Sequence, residues 1–190
     1  MKKILLVLIV IISFVVGYFL SDFLNSRKKG GLSLSLSFLG IQEFENKSYV
    51  KSLQYFFTAL YFNPRNRLAH RGLALIFYRE GSYELAMEEF KNFLESPKDP
   101  FYEKIEGNRG YVDTALAYCY IADIYDKYKN KEMAIINYQK AVNEYPDLPK
   151  YLSAYIKVIS EKKQKTDEDI KQMELFSTIY KSVKNIRKES

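Results

Sequence analysis

The chain begins with an uninterrupted apolar run and continues with a long amphipathic region. Residues 4–20, ILLVLIVIISFVVGYFL, form a stretch of seventeen residues without a charge. Over 33–190, apolar side chains recur mostly at intervals of three and four, which is the spacing of helices with one buried face. The pattern predicts an all-α fold with one N-terminal hydrophobic helix ahead of it.

The apolar run has the length and composition of a short membrane-spanning helix. Seventeen residues lie at the lower end of what crosses a bilayer, and Phe23 and Leu24 extend the run. The rival interpretation is a cleaved signal peptide, but no small-x-small cleavage site follows the run. We therefore expect a transmembrane signal anchor over 1–24, embedded through 4–24, and a basic, Gly-containing linker over 25–32.

The charges around the run do not settle its orientation in the membrane. On one side of the run lie Lys2, Lys3 and the amino terminus, and on the other lie Arg27, Lys28 and Lys29. The positive charge is almost equal on the two sides, so the positive-inside rule does not choose between the two orientations. A short basic tail is how Sec-dependent signals begin, which favours a single-pass inner-membrane protein with an extracytoplasmic C-terminal domain. The cytoplasmic orientation stays open, because a basic cluster after a span is itself a stop signal.

The helical pattern repeats along the chain. A small residue is followed four positions later by an aromatic one in three places: Ser52 and Phe56, Ala86 and Phe90, Ala134 and Tyr138. The first two pairs are 34 residues apart and the third follows after 48, which is 34 plus an insert of 14. A large residue followed by a small one recurs in the same register: Leu39-Gly40, Leu73-Ala74 and Ile121-Ala122. The chain therefore has three equivalent units, at 33–66, 67–100 and 115–148, with an insert at 101–114.

This pattern resembles the tetratricopeptide (TPR) repeat, a 34-residue pair of antiparallel helices with small residues where the helices approach and a terminal proline. Pro64 and Pro146 close the first and third units. The resemblance implies a right-handed superhelix of three to four helical hairpins. Residues 149–190 are interpreted as a degenerate fourth hairpin ending in a capping helix, which starts at Thr166, a helix-capping residue followed by three acidic ones.

Two segments need the repeat register for their interpretation. LSLSLS at 32–37 alternates like a strand, but the register places it in the first helix, with Leu36 and Leu39 on the inner stripe and a flexible joint at the two preceding glycines. The insert at 101–114 is longer than an ordinary connection, so it is either a functional loop or an extension of the third unit's first helix.

Composition and charge exclude several classes of function. Seventeen Tyr and thirteen Phe against eight Gly and five Pro suit bulky helix packing. Cys119 and His70 are the sole residues of their types, so we expect no metal site and no cofactor. Asp123 and Asp126 are interpreted as a solvated helix face, and no catalytic motif accompanies them, so we expect no enzyme. The net charge of +6 lies in the two ends of the chain, which suits a membrane surface better than nucleic acid.

The TPR resemblance also implies a concave groove lined by the first helix of each unit. Its carried-over lining residues are Leu34, Ile41, Phe44, Arg71, Leu75, Tyr78, Arg79, Leu116, Asp123 and Lys127. One branch of the family grips a C-terminal carboxylate with Lys, Asn and Arg, but here those places hold Ser37, Ile41, Gly72, Leu116 and Tyr120. We therefore expect a protein partner that binds as a helix or an extended peptide. The alternative is that the insert or the capping helix of the chain itself fills the groove.

Two functions follow from this organisation. The first is a membrane-anchored scaffold that holds a partner protein, as part of a bacterial envelope assembly for secretion, pili, flagella or envelope biogenesis. The second is a cytoplasm-facing adaptor that delivers clients to a membrane protease or synthase. The topology of the anchor distinguishes them.

Overall fold

The computed structural model describes residues 25–26, 28–97, 109–161 and 164–189. These residues form helices and no strand, so the all-α prediction is confirmed for this part of the chain. The longer helices are α1 (28–45), α2 (Tyr49–Phe62), α3 (Arg67–Arg79), α4 (Tyr83–Glu95), α5 (Arg109–Lys127), α6 (Lys131–Glu144), α7 (Leu148–Ser160) and α8 (Asp167–Glu189). The predicted anchor at 1–24 lies outside the described residues, within which no helix is long and apolar enough to span a bilayer.

The first helix of each unit ends in the same turn. Its central residue has a positive φ of 61° at Lys47, 78° at Gly81 and 60° at Lys129. The amide of the next residue donates to a carbonyl five residues back, as a Schellman motif requires, over 2.8 Å in the first unit and 2.9 Å in the other two. The three turns are spaced by 34 and then 48 residues, so the hairpins follow the register of the sequence repeat.

Side-chain caps mark where several helices begin. The side chain of Asn66 accepts a hydrogen bond of 3.0 Å from the Ala69 amide, which caps α3. At α8, the Thr166 hydroxyl accepts from the Asp169 amide at 3.2 Å, while the Asp169 carboxylate accepts from the Thr166 amide at 3.0 Å. This reciprocal pair is a capping box with Asp in place of Glu, and it confirms Thr166 as the cap of the last helix.

The described residues bury their apolar side chains between hairpins. The second helix of one unit and the first helix of the next meet in each cluster: Phe56 and Ala59 with Leu73 and Ile76, then Phe90 and Phe93 with Ile121 and Ile124, then Tyr138 and Ala141 with Leu148 and Leu152. The small and aromatic positions that define the repeat are therefore the positions that join neighbouring hairpins. A single hairpin has no core of its own, as in other stacked-repeat proteins.

The close approach of α1 to α3 depends on two glycines that flank the ring of Phe56. A Cβ atom placed on Gly40 would lie 2.6 Å from a ring carbon of Phe56, and one placed on Gly72 would lie 2.1 Å from another. The Ser52 hydroxyl also donates to the Gly40 carbonyl at 2.7 Å, across the first hairpin. The packing around Phe56 therefore leaves no room for a side chain at position 40, where the sequence predicted a small residue, or at position 72.

The first helix departs from its predicted orientation. Leu39 is 43% exposed, whereas its counterparts Leu73 and Ile121 are at most 3% exposed, so its assignment to the inner stripe is wrong. The buried residues of α1 are instead small, namely Ser33, Ser37 and Gly40. The later counterparts of Leu39 are buried because each packs against a preceding hairpin. Within the described residues no hairpin precedes the first one, so Leu39 stays exposed.

The predicted linker is also different in the structure. Of residues 25–32, those at 25–26 and 28–32 are helical, so the expected flexible joint at Gly30 and Gly31 is wrong. A Cβ at either glycine would meet nothing within 4 Å. With no tertiary contact to oppose it, the α1 hydrogen-bond ladder continues through both glycines.

The end of the insert is helical, because α5 covers Arg109–Lys127 and so extends the third unit's first helix towards the N-terminus. Residues 101–108 of the insert lie outside the described part of the chain. Arg67 fixes the start of the extension, because its guanidinium donates to the Thr114 hydroxyl at 2.7 Å and to the Phe93 carbonyl at 2.7 Å. This side chain holds the end of α4 against the beginning of α5.

Candidate partner-binding groove

Helices α3, α5 and α8 enclose a groove of about 920 Å³, which we call the central groove. The side chains of α3 and α5 form its floor, and Phe44 at the end of α1 closes one end. Charged residues are the most numerous in its lining, followed by aromatic and then aliphatic ones. A volume of this order is typical of sites that bind small molecules or short peptide segments.

The structure brings most of the predicted groove residues together. Those that line the central groove are Phe44, Arg71, Leu75, Tyr78, Arg79, Leu116, Asp123 and Lys127. Leu34 and Ile41 do not line it, and Ile41 instead packs against the first buried cluster. The part of the groove predicted on α1 is therefore reduced to Phe44.

Tyr78 is the centre of a hydrogen-bonded network on the floor of the groove. Its hydroxyl donates to the Asp123 carboxylate at 2.5 Å, and Lys127 lies 2.7 Å from the same oxygen. The Tyr78 ring packs edge-on against Tyr83 and Tyr120, with centroids 5.7 and 4.8 Å away. Burial, together with the hydrogen bond to Asp123, raises the pKa of Tyr78, so its hydroxyl stays a donor.

The two arginines of the groove are paired within the chain. Arg71 lies 2.8 Å from the buried carboxylate of Asp113. Arg79 forms an ion pair with Glu168 of α8, and its guanidinium carbon lies 4.5 Å from the centroid of the Tyr49 ring. These partners were not expected from the sequence. The charge of each arginine is therefore already balanced by a carboxylate of the chain itself.

The last helix supplies a wall of the groove, so the capping helix does reach the groove, as the alternative interpretation expected, but it does not fill it. Glu168, Lys171, Gln172 and Leu175 line the groove from α8, while Phe176, Ile179 and Val183 of the same helix are buried against α6 and α7. The capping residue at Thr166 marked where α8 begins. No sequence signal showed that α8 folds back towards α3, which precedes it by almost ninety residues. The expected capping helix thus shapes the groove and leaves space within it.

The residues considered for other chemistry are largely buried. Asp123, which was interpreted as part of a solvated helix face, is 6% exposed and accepts from Tyr78, so that interpretation is wrong for this residue. His70 is 7% exposed, with Nε2 2.9 Å from the Pro64 carbonyl and Nδ1 2.6 Å from the Glu89 carboxylate. Cys119 is fully buried, which raises the pKa of its thiol far above the ordinary value. Within the described residues, no three His, Cys, Asp or Glu side chains are grouped so as to hold a metal.

Helical hairpins that share one register and pack through small and aromatic residues define a TPR-like helical-repeat fold. No protein-family model matches the sequence. No curated protein matches it either. Among solved structures, the N-terminal domain of stress-induced protein-1 (STI-1) from C. elegans is similar, with a TM-score of 0.49 and 12% identity over 78% of this chain and 97% of that one.

Proposed function

We propose that this protein is a membrane-anchored scaffold that binds a segment of a partner protein in the central groove. The observation that carries the proposal is the groove itself, which the stacked hairpins and α8 keep open between them. Stacked helical repeats commonly use such concave surfaces for binding. The proposal includes no catalytic step and no cofactor.

The lining of the groove indicates the chemistry of the bound segment. Leu75, Leu116 and Leu175 supply apolar surface, and the Tyr78 and Tyr120 rings supply aromatic surface. The neighbouring charges are paired across the groove. A helix or extended peptide with an apolar side fits the leucine and tyrosine surface, and the chain's own carboxylates already balance the charge of both arginines.

The anchor gives the scaffold its location in this proposal. Residues 4–20 are uncharged and long enough to span a bilayer as a short helix, which supports a single-pass protein of the bacterial inner membrane. The bound partner would then be held close to the membrane, as part of an envelope assembly. The adaptor function is the second candidate, favoured by the basic cluster at 27–29, which suits a cytoplasmic domain.

Photo-crosslinking tests whether the groove binds a partner. We would replace Lys171, on the α8 wall, by p-benzoylphenylalanine in the full-length protein, and Lys91, on α4 and outside the groove, in a matched control. Both side chains are exposed, so neither replacement disturbs the fold. One discrete partner should crosslink to position 171 and not to position 91. Equal crosslinking at both positions, or crosslinking at 91 alone, would refute binding in the groove.

Removal of Tyr78 and Arg79 is a less specific test of the same idea. Tyr78 holds Asp123, and Arg79 holds Glu168, so the double alanine variant also breaks contacts between α3 and its neighbours. A loss of binding in that variant would not distinguish the loss of partner contacts from the loss of fold stability. The crosslinking pair avoids this difficulty.

A topology reporter tests the anchor and separates the two functions. A reporter that is active only outside the cytoplasm, fused after Ser190, should be active if the protein belongs to an extracytoplasmic assembly. Activity of a cytoplasm-specific reporter at the same site would favour the adaptor. Release of the full-length protein from membranes by alkaline carbonate would contradict the anchor in either orientation.

A further inference from the structure

The outer face of α2 is apolar, unlike the equivalent faces of the later units. Val50, Phe57 and Tyr61 are 72%, 52% and 82% exposed. The equivalent residues of the second unit are Glu84, Lys91 and Glu95, and those of the third are Glu132, Gln139 and Asn143. At these three positions the later units therefore carry polar or charged side chains, whereas the first unit carries apolar ones.

The first hairpin also differs from the others in charge. The first unit, 33–66, contains three Lys or Arg and two Asp or Glu, a net charge of +1, and the basic cluster at 27–29 just before it adds +3. Residues 67–100 and 115–148 each have one more acidic than basic residue, a net charge of −1. An exposed apolar face on a basic element is typical of surfaces that lie in the interface of an anionic bilayer.

The exposed face begins close to the apolar run. The Ser33 hydroxyl donates to the Ala59 carbonyl at 2.7 Å, which places the end of α2 that carries Tyr61 beside the beginning of α1. Lys28 precedes Ser33 in the same helix, about 8 Å away along the axis. Only three residues then separate Lys28 from Leu24, the last residue of the predicted anchor.

We propose that the first hairpin lies against the anionic membrane interface, with Val50, Phe57 and Tyr61 of α2 inserted among the lipid headgroups. The inference rests on the proposed membrane anchor, which would hold this hairpin at the bilayer surface. Tyrosine favours the membrane–water interface, and the surrounding lysines meet anionic headgroups. A second copy is a poorer occupant, because a symmetric dimer through this face would bring together two first hairpins, each with a net charge of +1 and a basic cluster at 27–29.

The chain has no tryptophan, so a single introduced tryptophan reports its own environment. We would place full-length Tyr61→Trp in phosphatidylglycerol–phosphatidylcholine vesicles and compare it with Glu95→Trp, at the equivalent position of the second unit. Brominated acyl chains quench tryptophan by contact. Emission from position 61 should be blue-shifted and lose about half its intensity in brominated vesicles, since an interfacial aromatic lies beside the acyl chains. Position 95 should emit as in water and show no quenching.

Each other outcome has a defined meaning. Unquenched, water-like emission from position 61 in vesicles that retain the protein after a carbonate wash would overturn the hairpin contact while leaving the anchor intact. Blue-shifted emission that bromine does not quench, and that depends on protein concentration, would assign the face to a second copy or another protein and overturn the proposal. Quenching at position 61 in a protein that carbonate removes would support the hairpin contact and refute the anchor.

Discussion

The ring of Phe56, held between Gly40 and Gly72, provides a sharp test of how the first two hairpins pack. We expect Gly72→Ala to destabilise the protein, although alanine is the better helix former. The new methyl carbon would lie 2.1 Å from a carbon at the tip of the ring. The ring is fully buried and cannot move away, because Gly40 on its other side leaves no space for such a movement.

The size of the effect follows from two opposing terms. Overfilling a packed site costs about 1–3 kcal/mol, and the exchange of Gly for Ala within a helix returns about 1 kcal/mol. The net loss is therefore about 0–2 kcal/mol, which lowers the melting temperature of a chain of this length by up to roughly 8 °C. The Phe56→Leu change should relieve part of the clash, so the double variant should be more stable than the sum of the single effects indicates.

The assay is thermal unfolding of the full-length protein in detergent, followed by far-UV circular dichroism. Gly31→Ala is the matched control, because Gly31 is helical and a Cβ there would meet nothing within 4 Å. This control should be neutral or should gain up to about 1 kcal/mol from helix propensity alone. If both variants melted higher than the wild type, the packing of Phe56 between the two glycines would be wrong.

Three further predictions concern other parts of the repeat. Ala86→Asp should cost several kcal/mol, because Ala86 is fully buried, whereas Glu88→Ala on the exposed face should change stability by about half a kcal/mol or less; equal melting points would contradict the register. Burial lowers the pKa of His70, but its hydrogen bonds to Glu89 and to a backbone carbonyl outweigh this effect and raise the pKa above the ordinary 6.5. The protonated histidine therefore stabilises the fold below pH 6.5, and stability should fall as the pH rises through the folded-state pKa; denaturant titrations should show no such slope in His70→Gln. Lys129→Gly should stabilise by up to about 1 kcal/mol in the same titrations, since Lys129 has a positive φ of 60°.

The sequence predicted the parts of the fold that depend on neighbouring hairpins. The small and aromatic pairs, such as Ala86 with Phe90, recur because each joint between hairpins must solve the same packing problem. The aromatic residue of each pair is at most 2% exposed. The sequence repeat predicts these contacts because the contacts between adjacent hairpins recur with the same spacing as the repeat.

Features at the two ends of the stack could not be predicted from the sequence repeat. Leu39 matches the buried Leu73 in register but is exposed, because burial at that position requires a preceding hairpin. Burial of Phe176, Ile179 and Val183 holds the α8 wall in place, and its contact of Glu168 with Arg79, 89 residues away, matches no repeat position. The repeat register therefore predicted the floor of the candidate groove, whereas a capping helix in the groove was only an alternative and the intramolecular partners of the arginines were not predicted.

The position of α8 has a consequence for how binding and folding are linked. One side of α8 closes the end of the stack, and the other side forms a wall of the groove. Detachment of α8 from the stack therefore also opens the groove. A ligand that contacts this wall binds only the ordered state, and at a hundred times its dissociation constant it would stabilise that state by about 2.7 kcal/mol. Slower hydrogen exchange should then appear in α8 before it appears in α2, at the opposite end of the stack.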